Sequence, residues 1–198
     1  MHMDNITKVA VFCGSSFGND DSFKLISHSF GALLAENSLT LVYGGGYRGL
    51  MGSVAQGVKD NNGHVIGVLP EIFDNDMVKL KSVEDELIIK KDMHERKKQI
   101  YDLADAFIIL PGGIGTFDEF FEIFTWKQIG YHNKNIAIYN INGFFNTLIS
   151  FLKECVDKGF LSNKVFDSLI ISEDANQIIK DIKEKKVILP SKIWIREK

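Results

Sequence analysis

The residues best suited to chemistry lie together in one stretch, Pro111-Gly112-Gly113-Ile114-Gly115-Thr116-Phe117-Asp118-Glu119. Three glycines in a turn leave backbone N–H groups facing outward with no side chain in the way. A helix that starts there adds the positive end of its dipole, and the combination takes an anion, usually a phosphate. Glu119 puts a carboxylate on the rim of the same turn. A phosphate cradle with an acid beside it points to a phosphorylated substrate that is attacked there. Thr116 and Glu119 also spell T-x-x-E, a capping box, and closing the helix end is the competing role for both. One glycine would make that turn; three favour close approach by a ligand.

A second group of chemical residues sits on the segment 93–104. Met93, Ile100, Leu103 and Ala104 form an apolar stripe at helical spacing, with Arg96 and Lys97 on its two flanks. Arg96 points toward the core side, and an inward arginine at a helix start needs an anionic partner, either a phosphate or Glu119. Glu95, Lys98 and Asp102 fall on the far face and read as solvated charges. His94 lies about a quarter-turn from the stripe and reads as structural, since no metal constellation is visible. Asp92, Asp118 and Glu122 are the candidates for a proton donor. Gly44-Gly45-Gly46-Tyr47-Arg48-Gly49 matches G-x-G-x-x-G, but it follows the second strand, and Glu71 is only a loose ribose partner. The segment reads as one wall of a nucleotide pocket, with some glycines serving a tight turn or close helix packing. Cys13 and Cys155 offer no disulfide framework or zinc spacing, and Cys13 reads as a small buried residue.

These groups must be positioned by the elements around them. Apolar runs at 8–13, 39–43, 64–69, 106–110, 135–139 and 169–171 read as strands, with a short extra one at 87–89. Helical patterns cover 22–36, 50–61, 93–104, 117–129, 145–158 and 175–185. The alternation predicts an α/β fold: a doubly wound, mostly parallel, Rossmann-like sheet with helices on both faces. Every glycine-rich motif then falls at the carboxyl end of a strand, where such sheets bind ligands. At 198 residues the chain reads as a single domain, 1–198, with a charged tail from about 183 in which Trp194 docks on the body or on a second subunit. The net charge of −3 implies neither nucleic-acid nor membrane attraction. No apolar run would span a bilayer, and Met1-His2-Met3-Asp4-Asn5 lacks a signal-peptide core, so a cytoplasmic protein is expected.

The motif P-G-G-x-G-T-x-x-E resembles the signature of the Lonely guy (LOG) family, the cytokinin riboside 5′-monophosphate phosphoribohydrolases often mislabelled lysine decarboxylases. The resemblance extends to Cys13-Gly14-Ser15-Ser16, Tyr43-Gly44-Gly45-Gly46 with Gly49-Leu50-Met51-Gly52, Asp92-Met93-His94-Glu95-Arg96-Lys97 and Thr125-Trp126-Lys127-Gln128-Ile129-Gly130. It implies hydrolysis of the N-glycosidic bond of AMP or an N6-substituted AMP, giving a free base and ribose 5-phosphate. Arg96 and Glu119 match the catalytic pair. Met93, Lys97, Gly112, Gly113, Ile114, Gly115, Thr116 and Asp118 match substrate-binding positions, with Asp118 where the family usually has Glu. The resemblance implies no cofactor and no metal, and it implies a homodimer built around the helix 117–129. Glu119, placed in the first turn of that helix, is expected to be held ionised by the dipole. The alternative is a non-hydrolytic nucleotide carrier or sensor of the same fold. An NAD-linked oxidoreductase rests on the weak glycine pattern alone, and nothing marks a pyridoxal phosphate site.

Overall fold

A computed structural model gives the fold, and it describes residues 6–73 and 83–185. The tail beyond 185, including Trp194, lies outside the described residues. Among the described residues one sheet contains β1 Lys8–Phe12, β2 Thr40–Tyr43, β3 Val65–Pro70, β4 Glu86–Lys90, β5 Ala106–Ile109, β6 Asn135–Tyr139 and β7 Leu169–Ser172. The strand order is β4-β3-β2-β1-β5-β6-β7, and every pairing is parallel, so the expected mostly parallel sheet is parallel throughout. The crossovers are α1 Asp21–Glu36, α2 Gly49–Asp60, α3 Met93–Leu103, α4 Ile114–Gln128, and α5 Asn146–Asp157 with the short α6 Asn163–Phe166. Helix α7, Ala175–Glu184, follows the last strand.

The central strands are apolar at successive positions because both sheet faces are covered. Alternate residues feed separate cores: Val9, Val11, Ala106 and Ile108 pack with Phe30, Leu34, Val54, Val58 and Ile178 on the face of α1, α2 and α7. Ala10, Phe12, Phe107 and Ile109 pack with Ile100, Phe120, Ile123, Phe124 and Leu152 on the face of α3, α4 and α5. Helices α1 and α2 approach closely where glycines face the neighbour. A Cβ at Gly31 would stand 2.1 Å from the Val54 carbonyl oxygen, and one at Gly57 would stand 2.0 Å from that of His28.

The order of strands reverses between β1 and β5, and the crevice beyond their carboxyl ends is where such a sheet holds a ligand. The two loops meet there: the Gly14 N–H donates to the Pro111 carbonyl at 2.9 Å. Helix α4 starts at Ile114, three residues earlier than its apolar pattern suggests. The glycines read as a loop are therefore the helix cap and its first turn.

Candidate active site

Helix α4 begins with Gly113 as its N-cap, and no side chain caps it. Its first helical bond runs from the Phe117 N–H to the Gly113 carbonyl at 3.0 Å. The N–H groups of Ile114, Gly115 and Thr116 thus have no partner within the helix. A Cβ built at Gly113 or Gly115 would meet nothing within 4 Å, so the space above these amides is open. The neighbouring helix starts are already occupied. Asp20 accepts from Ser22 N–H, Asp92 accepts from His94 and Glu95 N–H, and the Gly14 carbonyl takes Leu50 and Met51 N–H at 3.0 and 3.3 Å. The start of α4 is left with uncapped amides facing open space, the arrangement that suits an anion. Gly112 plays a different part from Gly113 and Gly115. A Cβ there would stand 2.1 Å from Thr116 Oγ1 and 2.8 Å from Gly14 N, so Gly112 lets the two loops pack. Thr116 is buried inside the first turn, and the capping box does not form because the helix begins before it.

Arg96 is 8 % exposed although charged. Its Nη1 donates to Glu119 Oε1 at 2.9 Å and its Nε donates to the Val68 carbonyl at 3.1 Å. Gly44 makes room for it: a Cβ at that position would stand 1.9 Å from Arg96 Nη2. Burial raises the Glu119 carboxyl above the usual carboxylate range, while Arg96 and Lys97 pull it back down. This corrects the expectation that the dipole holds it ionised. With α4 starting at Ile114, Glu119 stands in the second turn, past the reach of the helix end, and desolvation dominates. Lys97 Nζ sits 2.6 Å from Asp118 and 3.5 Å from Glu122. Burial works against its charge, but the two carboxylates outweigh burial and raise its pKa.

A pocket of about 620 Å³ brings these groups together. Met93, Arg96, Lys97, Gly113, Ile114, Gly115, Thr116, Asp118 and Glu119 all line it, whereas Gly112 lies behind its wall. Met93 is 41 % exposed, so it leaves the buried stripe expected of it and faces the pocket mouth. Met51, Leu69 and Phe73 supply an apolar side that sequence reasoning did not assemble. Cys13 lines the floor, and burial together with Glu119 pushes its thiol far up, which fits a small inert residue. Asp92, one of the proton-donor candidates, caps α3, its pKa is lowered by the Glu95 amide, and it does not line the pocket. Glu71 is exposed on a short 3₁₀ turn off the pocket wall.

Glu84 is the positioning residue that the sequence hid. Its carboxylate contacts the Tyr43 hydroxyl and accepts the Gly46 N–H at 3.1 Å, fixing the second glycine loop. Gly45 and Gly46 in that loop have φ of 75° and 91°, a backbone glycine adopts freely. In the sequence, Glu84-Asp85-Glu86 reads as a solvated acidic run, and the contact to Tyr43 spans 41 residues.

Comparison with known proteins adds independent findings. A family described as possible lysine decarboxylase matches residues 51–182. The chain is 38 % identical over 177 residues to the cytokinin riboside 5′-monophosphate phosphoribohydrolase LOG2 of Arabidopsis thaliana, covering 89 % of this chain and 83 % of that one. It is also 38 % identical over 179 residues to a probable enzyme of the same name, LOG4, from Oryza sativa subsp. japonica, covering 90 % of this chain and 77 % of that one. Among solved structures, the fold is similar to the molybdenum cofactor carrier protein of Chlamydomonas reinhardtii, with TM-score 0.66 and 18 % identity over 90 % of this chain and 96 % of that chain. A molybdenum cofactor binding protein from Rippkaea orientalis is similar with TM-score 0.66 and 19 % identity, over 91 % and 97 % of the two chains. At such identities the solved structures share the fold alone.

Proposed function

This chain belongs to the LOG family of cytokinin riboside 5′-monophosphate phosphoribohydrolases, and from that premise we propose that it hydrolyses the N-glycosidic bond of AMP or an N6-substituted AMP. The observation that carries the reading is the buried Arg96–Glu119 pair, 2.9 Å apart, in the same pocket as the uncapped start of α4. The amides of Ile114, Gly115 and Thr116 hold the 5′-phosphate and so place the ribose over Glu119. As the bond from C1′ to the base nitrogen breaks, its electron pair leaves with the base and cationic charge develops at C1′. The Glu119 carboxylate stabilises that charge and accepts a proton from the water whose oxygen bonds to C1′. The departing base nitrogen takes up a proton from solvent and Glu119 returns its own to solvent, so the sum is nucleotide plus water giving free base and ribose 5-phosphate. Arg96 keeps the carboxylate aimed and, by opposing the burial effect, keeps it ionisable. Met51, Leu69, Phe73 and Met93 give the base an apolar setting that tolerates an N6 substituent.

A binding-only carrier would use the same glycine loops, but it gives no reason to bury a carboxylate whose charged form burial disfavours. Lysine decarboxylation fares worse. It needs a neutral lysine for a Schiff base, and Lys97, the lysine in the pocket, is held protonated by Asp118 and Glu122. The test is incubation of the protein with AMP, with N6-prenylated AMP and with adenosine, followed by chromatography. Free base with ribose 5-phosphate from the monophosphates, and little from adenosine, is expected. Equal turnover of adenosine and AMP would remove the phosphate from the account.

The proposal extends to a homodimer through α4. Ile114 and Phe121 on this helix and Ile129 at its C-cap are 83, 40 and 51 % exposed. This apolar surplus on the outward side of α4 supports a self-association surface next to the pocket.

A further inference from the structure

Among the described residues three cations line the pocket: Arg48, Arg96 and Lys97. Two of them are matched, Arg96 by Glu119 and Lys97 by Asp118 and Glu122. Arg48 has no carboxylate partner among the described residues; its guanidinium lies 5.8 Å from the centre of the Tyr47 ring. It is exposed, and the bland role for an exposed arginine is a solvated charge. Its place in the fold argues for more. Arg48 is the N-cap of α2, and the next amides, Leu50 and Met51, bond to the Gly14 carbonyl. Gly14 in turn donates to Pro111 and packs so tightly that its Cβ would stand 3.3 Å from Gly112 Cα. Gly49, with φ of 58°, lies so close to Ser15 that a Cβ would stand 2.2 Å from its carbonyl carbon. The backbone at Arg48 is therefore clamped, through Gly14 and Ser15, to the loop that leads into α4.

The charge balance of the site points the same way. A phosphate monoester carries a charge of about −1.5 to −2 at pH 7, and a helix start supplies only about half a positive charge. With Arg96 and Lys97 already matched by carboxylates, the amides of α4 alone would leave most of the phosphate charge uncompensated. We propose that Arg48 closes the phosphate subsite from the α2 wall, its guanidinium pairing with the 5′-phosphate that the α4 amides cradle. Arg48 is then the residue that sets preference for phosphorylated over unphosphorylated nucleosides. This rests on the reading of the α4 start as the phosphate cradle.

The experiment is calorimetric titration of the full chain with ribose 5-phosphate, for wild type, Arg48→Gln and Arg48→Lys, with thermal melting of each. A charge-assisted contact to an exposed phosphate makes Arg48→Gln about tenfold weaker. Arg48→Lys keeps the charge without the fork and falls between. Melting is unchanged, because the Arg48 side chain caps nothing. With the monophosphate substrate, Arg48→Gln raises KM by a similar factor while kcat stays within about twofold. Wild-type affinity for ribose 5-phosphate in Arg48→Gln overturns the assignment of Arg48. Failure of the wild-type protein itself to bind ribose 5-phosphate at millimolar concentration overturns the cradle, and the Arg48 assignment with it.

Discussion

Replacing Gly44 by Ala disturbs the proposed catalytic pair without changing the identity of either member. The added carbon would stand 1.9 Å from Arg96 Nη2 and 3.1 Å from its Cζ. Ordinary contact begins at 3.4 Å, so the guanidinium must retreat by about 1.5 Å, the gap between that contact distance and the 1.9 Å approach. Gly44 is not among the glycines with left-handed backbone, so alanine suits its conformation. The atom displaced is the flexible end of a side chain, so the fold survives. The bonds from Arg96 to Glu119 at 2.9 Å and to the Val68 carbonyl at 3.1 Å both lengthen. A misplacement of this size costs about 10²-fold in kcat. Glu119 also loses part of the charge that opposes its burial. An opposite charge close by lowers a carboxyl, so partial withdrawal of Arg96 raises Glu119 further. On the proposed mechanism Glu119 acts ionised, so the acid limb of the kcat profile moves to higher pH. The assay is kcat from roughly pH 5 to 9 on Gly44→Ala and wild type, with thermal melting as the control for folding. A variant that melts normally, turns over normally and keeps the wild-type acid limb refutes the view that Gly44 is there to seat Arg96.

Three other outcomes follow from the structure. Lys127 is fully buried with its ammonium on the Lys134 carbonyl, and burial, then Lys185, lowers its pKa to about 8. The unfolded chain keeps that proton up to about pH 10.5 while the folded chain sheds it near 8, so stability rises across this window, by about 3 kcal/mol. Denaturant unfolding of wild type against Lys127→Met at pH 7 and pH 10.5 reads this as a rise present in wild type and absent in the variant; parallel pH curves contradict it. Gly113→Val fills the open space above the α4 amides, so nucleoside monophosphate binding weakens by an order of magnitude or more while melting is preserved; unchanged binding shows that the ligand does not sit there. Light scattering at micromolar concentration is expected to give twice the 22.3 kDa chain mass, and Phe121→Glu to lower it toward one; a wild-type monomer with full activity removes the proposed interface.

The sheet was legible because its strands are short apolar runs separated by amphipathic segments, a pattern that depends on burial on two faces rather than on any one partner. That Arg96 needs an anion was legible too, since an arginine on the core flank of a helix stripe demands one, but the choice between a phosphate and Glu119 is made only by the fold. The start of α4 was not. Gly113 and Gly115 read as a turn before the helix, yet here they cap and open it, and that shift of three residues moves Glu119 into the second turn, where burial raises its pKa. Gly44 belongs to a segment that reads as one wall of a nucleotide pocket, and it does line the pocket, but the space it leaves for a side chain 52 positions away is encoded by no local pattern. Glu84 was hidden for the same reason, as one acid in a run of three. Met93 shows that apolar spacing marks a helix face without saying whether that face meets the core or a pocket.

The central claim is that Glu119 does the chemistry while the start of α4 holds the phosphate. Its most direct test is Glu119→Gln, which keeps the shape and removes the charge, measured for turnover of the monophosphate and for ribose 5-phosphate affinity on the same preparation. The account predicts a kcat lower by about 10²–10⁴-fold with ribose 5-phosphate still bound. Turnover near the wild-type rate in that variant would contradict it.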